Sequence, residues 1–95
     1  MAAYVVFTRE RTRDQAALDT YSSLAGGTMA GHTIKPHSVY GKHETLEGAP
    51  IEGAVIVEFP SIEAAKAWYD GDAYKAAREH RFKGADYRVF ITEGL

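Results

Sequence analysis

The chain has 95 residues, 45% of them hydrophobic, with eleven basic and thirteen acidic side chains, a formal net charge of -2 and no cysteine. That is a single domain, 1–95, long enough for one core and too short for two. The composition excludes disulfides, thiolate metal sites and cysteine nucleophiles, and without a basic run it argues against a nucleic-acid partner.

No stretch is long enough to span a bilayer, so no membrane partner is expected. The start, MAAYVVFTRERTR, lacks the basic lead and long apolar core of a secretory signal, and the cytoplasm is the expected compartment. Residues 3–9 of AAYVVFTRE are rich in β-branched and aromatic side chains and run into charges, the chemistry of a strand. In RDQAALDTYSSLAGGTMAGH, Ala17, Leu18, Tyr21, Leu24 and Ala25 recur at spacings of three and four. That pattern predicts an amphipathic helix with Asp14, Asp19 and Ser22 on its back. Gly26 and Gly27 each cost roughly 1 kcal/mol against alanine, so the helix is expected to weaken or bend there before a stop near Gly31.

TIKPHSVYGKHETL is extended by composition, but Pro36 removes a ladder donor, which predicts an irregular second strand at an edge or a bulge. EGAPIEG is turn chemistry, and AVIVEF (residues 54–59) is a third strand pairing antiparallel with the second. Pro60 ends that ladder. Ser61 is a good N-cap, Glu63 suits the positive end of a helix, and Ile62, Ala65, Trp68 and Tyr69 form its inward stripe. Asp70-Gly71-Asp72 breaks this short helix and starts a further helical segment, AYKAAREHRF, carrying Tyr74, Ala77, Arg78 and Arg81 on related positions. DYRVFITEG is the closing strand. The order β-α-β-β-α-β is an α+β, ferredoxin-like plan, an antiparallel sheet with helices on one face.

A sheet with one wet face alternates apolar and polar residues, yet YVVF, AVIV and VFI are apolar at consecutive positions. Both sides of the sheet therefore present apolar atoms. With no further helix to cover the second side, the expected cover is another copy of the chain, a homodimer packed sheet to sheet.

VIVEFPSIEAAKAWYDGDAYKAAREHR, with the upstream YGKHETLEG, closely resembles the small bacterial family known as domain of unknown function 1330, within the dimeric α+β barrel superfamily. The likeness covers nearly the whole chain. Its most specific part is Glu58 to Ser61, Ala67 to Tyr69, and the series Tyr74, Ala77, Arg81. The resemblance implies a ferredoxin-like subunit whose sheet pairs with that of a second subunit. It implies no particular reaction, since superfamily relatives include cofactor-free monooxygenases, lactone isomerases and haem enzymes. Where the family commonly has Ser-Pro before the second aromatic segment, this chain has Gly71-Asp72.

Glu58 is the first candidate for chemistry. Strand parity puts it on a face with Ala54 and Ile56, opposite Val55, Val57 and Phe59. An unpaired carboxylate there is costly, and Arg78 or Arg81 is the expected partner. Such a pair either fixes helix to sheet or makes Glu58 a pocket acid or base. His37 and Tyr40 have opposite parity on the second strand, so without a bulge only one faces the layer under the helices. No two of His32, His37, His43 and His80 have metal-ligand spacing, and no metal or cofactor is expected. Neither a nucleophile elbow nor a nucleotide-binding glycine fingerprint is present.

Tyr21, Trp68, Tyr69 and Tyr74 are the expected aromatic lining of the helical layer, mostly core. Where that layer hollows into a pocket, tyrosine hydroxyls and an arginine around apolar walls suit a small aromatic or carboxylate-bearing molecule. The leading expectation is cofactor-free oxidation or isomerisation of an aromatic or lactone-type metabolite. In it Glu58 or His37 accepts a proton, Arg81 holds an anionic group, Tyr69 and Tyr74 line and polarise, and Tyr40 and Arg78 complete the pocket. The alternatives are a ligand-binding or stress-response module without turnover, and a purely structural dimer.

Overall fold

The computed structural model describes residues 1–95. Its elements are β1 (Ala3–Thr12), α1 (Gln15–Ala25), β2 (Lys35–Val39), β3 (Gly53–Phe59), α2 (Ile62–Tyr69), α3 (Asp72–Gly84) and β4 (Ala85–Glu93). The strands form one antiparallel sheet in the order β2-β3-β1-β4, which is the ferredoxin-like arrangement.

Alternation along the pleat sorts the side chains. Ala3, Val5 and Phe7 of β1 and Val57 and Phe59 of β3 point to the helices and are buried. There Val5, Phe7, Val57 and Phe59 meet Ala65 and Trp68 of α2 and Tyr74 and Ala77 of α3 in one core cluster. The intervening residues face away from the helices. Val6 pairs with Ile56 on one side and Phe90 on the other, an apolar row across three strands, and Phe90 remains 52% exposed. The molecule measures 32 × 31 × 17 Å, the last being the thickness of one sheet and one helical layer. No helix covers the outer face; the loop residues Glu47, Gly48, Ala49 and Ile51 lie beside its Thr8, Glu10, Arg88 and Phe90.

Local chemistry sets the boundaries. Asp14 caps α1, its carboxylate accepting from the Ala17 amide at 3.2 Å, and Ser61 caps α2 by accepting from the Ala64 amide at 3.0 Å. The glycine pair makes α1 tighten into a 3₁₀ turn over Gly26–Met29, and Gly31 ends it with φ of +81°. Gly71 opens α3 without a side-chain cap, because a Cβ there would lie 2.9 Å from the Ala67 carbonyl oxygen. α1 and α3 meet where a Cβ on Gly84 would come within 2.7 Å of the Leu18 side chain. The Gly84 carbonyl also accepts from the amides of Arg13 and Asp14.

β2 is shorter than the sequence suggests. It is an edge strand with a bulge between Pro36 and Ser38, and it stops at Val39, where Tyr40 adopts a left-handed φ of 52° and redirects the chain into the loop before β3.

Candidate functional site

A cavity of about 310 Å³ opens between the helical layer and the sheet on the β2 side. Phe7, Val55 and Val57 form its floor, α1 and the 3₁₀ turn its roof, and Trp68 and Tyr74 its back wall. It exists because α1 ends in small residues: no atom lies within 4 Å of where a Cβ on Gly26 would stand. Val39 and Tyr40 stand at the mouth, where β2 ends and the loop begins. Ten of the twelve lining residues are hydrophobic, so an occupant must be chiefly apolar.

The polar features are phenols in pairs. Tyr21 and Tyr74 hydroxyls lie 2.7 Å apart, and those of Tyr40 and Tyr87 2.6 Å apart. Burial pushes the Tyr21, Tyr40 and Tyr74 phenols above the ordinary tyrosine range; the Arg81 charge pulls Tyr21 and Tyr74 partly back, as Arg9 does Tyr40. All three are therefore neutral hydroxyls at physiological pH. The Trp68 ring stacks on Tyr74 with centroids 4.1 Å apart, and its indole N–H donates to the Thr28 hydroxyl at 3.1 Å. Nothing polar on the indole is left for an occupant to satisfy.

Tyr69, Arg78 and Arg81 form the layer behind this wall and do not line the cavity. Arg81 is 3% exposed and donates to the Tyr69 hydroxyl at 3.1 Å. Arg78 lies 4.5 Å over the Tyr69 ring, donates to the Tyr69 carbonyl and approaches Asp70 at 3.5 Å. These contacts join α2 to α3.

The expected pairing of Glu58 with Arg78 or Arg81 does not occur. Both arginines lie on the helical side, whereas parity puts Glu58 on the outer face. Its partner is His37, Nε2 to Oε1 at 2.7 Å, with the Tyr4 ring 5.8 Å from the imidazole. Lys35 pairs with Glu58 and Pro36 with Val57, so alternation puts His37 on the outer face beside Glu58, while Tyr40, at its left-handed φ, lines the cavity; the two residues of β2 and its end serve opposite sides. Glu58 and His37 thus come together, on the other side of the sheet from the cavity. No group of three His, Cys, Asp or Glu side chains is placed to hold a metal ion.

Two participants escaped the sequence reading. Tyr87 shares the inward parity of Val89 and Ile91 on β4, a signal that was available. The roof contribution of Met29 depends on the 3₁₀ turn, which no periodicity encodes.

Residues 2–95 match the family described as domain of unknown function 1330. The chain belongs to that family. None of the curated proteins matches it. Among solved structures it is similar to a protein of unknown function from Rhodopseudomonas palustris, with TM-score 0.78 and 19% identity over 99% of this chain and 82% of that one. It is also similar to an EthD family protein from Bacillus halodurans, with TM-score 0.68 and 17% identity over 100% of both chains. A third is a dimeric ferredoxin-like protein of unknown function from Thermobifida fusca, with TM-score 0.66 and 12% identity over 97% of this chain and 90% of that one. At such identities the shared feature is the fold.

Proposed function

We propose that this member of the domain of unknown function 1330 family is a homodimer, joined through its outer sheet face, in which each subunit binds one small, mainly apolar molecule in the cavity. The observation that carries the binding reading is the cavity itself: apolar walls with paired tyrosine hydroxyls at the back and mouth, reached between α1 and the end of β2. The dimer reading rests on the Ile56–Val6–Phe90 row and on the dimeric relative.

Cofactor-free oxidation or isomerisation is the weaker reading. Its proton acceptors, Glu58 and His37, face away from the cavity, and the phenols inside it are held neutral, which makes them poor bases at pH 7. Binding without turnover needs neither.

The test is to fill the cavity. Ala25→Phe places a ring in the roof, and the variant is expected to keep its circular dichroism spectrum while losing the fluorescence response of Trp68, the single tryptophan, to small apolar fragments. An unchanged response in the folded variant contradicts the reading.

A further inference from the structure

Resting on the cavity-binding reading, we infer that the occupant carries an oxyanion, a carboxylate on an apolar body, recognised by the Tyr21–Tyr74 hydroxyl pair with Arg81 behind it as the source of positive charge.

Arg81 is the unusual charge of this chain. Arg9, Arg11, Arg13, Arg78 and Arg88 each reach a carboxylate. Arg81, the most deeply placed arginine, reaches none; its Nε, like those of Arg9 and Arg78, has no hydrogen-bond partner, but those two have a carboxylate and Arg81 does not. A buried guanidinium without a counter-ion is expensive. What surrounds it compensates only in part: the ring faces of Phe7, Phe82 and Tyr87 at 5.6, 5.1 and 5.0 Å, and the Tyr69 hydroxyl. Phe7 is shared between this cation and the cavity, and Tyr69, which accepts from Arg81, packs on Tyr74 of the cavity wall at 5.4 Å, so the field of the guanidinium crosses one layer of side chains to reach the occupant.

Hydroxyls can turn to donate or accept, and alone they would not choose the ligand's charge. The surroundings choose. No acidic side chain lines the cavity, and the other cation near it, Arg9 over the Tyr40 ring at 4.9 Å, is neutralised by Glu52 at 3.0 Å. In each hydroxyl pair one hydrogen is spent within the pair and the other is free to be donated. A site with spare donors, a net positive charge behind them and apolar walls suits an anion on an apolar body. Arg81 is a positioning residue here, acting through Tyr74 and Tyr69 and not by touching the ligand.

Three probes of one shape separate the possibilities: 4-tert-butylbenzoate, 4-tert-butylbenzamide and 4-tert-butylbenzylammonium, titrated at pH 7 against Trp68 fluorescence. The benzoate is expected to bind about tenfold or more tighter than the amide, the ammonium weakest. Tyr74→Phe, which keeps the ring, should cut the benzoate preference, and Arg81→Gln should abolish it while leaving amide affinity in place. If Arg81→Gln does not fold, the Tyr74→Phe ratio decides alone. Equal affinity for benzoate and amide, or a preference that survives loss of the Tyr74 hydroxyl, overturns the inference and leaves the cavity reading standing. No response to any probe overturns the cavity reading, and the inference with it.

Discussion

A Cβ at Gly53 would stand 2.6 Å from Cδ1 of Tyr40, so the ring at the cavity mouth packs on bare backbone. Gly53→Ala is expected to cost about 1–3 kcal/mol through overpacking and to part Tyr40 from Tyr87, seen as a lowered melting temperature and a shifted tyrosine spectrum. The phenols give a pH prediction. Tyr21, Tyr40 and Tyr74 have folded-state pKa values above their unfolded one. Their contribution is therefore intact below about pH 10 and is lost as pH rises beyond the unfolded value of about 10. In a phenolate absorbance titration, three of the six tyrosines should ionise only as the protein unfolds. Glu58→Ala is expected to leave fragment binding unchanged, because its bond to His37 lies across the sheet; binding lost in a folded variant would restore Glu58 to the cavity's chemistry. The face of Glu58 was legible from strand parity, but its partner was not. Choosing between an arginine and His37 required the register of β2 on β3, which sets Lys35 opposite Glu58 and so brings the imidazole beside it.

At the scale of elements, the strands and helices follow from short-range chemistry, and the contacts between helices do not. Ser61 after Pro60 announces α2, and Gly26-Gly27 announces a weakened helix, which takes the form of a 3₁₀ turn. Asp14 was legible only as a polar back residue; as the cap of α1 its replacement by alanine should cost about 1 kcal/mol, or a fall of about 4–8 °C in melting temperature. Gly84→Ala should cost more, because the new methyl meets Leu18 at the crossing of α1 and α3. A Leu18→Ala, Gly84→Ala double variant should recover part of that cost, which a thermal melt of the four species of the cycle would reveal. Nothing in the chain's periodicity marks Gly84 as a crossing point, since a helix-ending glycine looks the same whether or not a second helix rests on it.

At the scale of the whole molecule, the consecutive apolar residues in three strands raise the expectation of a sheet apolar on both faces; the outer face has no helical layer, and on it the row of Ile56, Val6 and Phe90 lies among Thr8, Glu58, Arg88 and Thr92. The cavity was less legible, because it depends on how far α1 stops short of β2. Helices and core cover the inner face; in the proposed homodimer a second copy covers the outer row of Ile56, Val6 and Phe90. A charge placed in that row, as in Val6→Glu, should split the assembly while leaving the helical layer and its cavity folded. The direct test is the mass in solution by size-exclusion chromatography with light scattering, followed down a dilution series. The account predicts twice the 10.4 kDa chain mass for the natural sequence at micromolar concentration; a particle of 10.4 kDa at every concentration contradicts it.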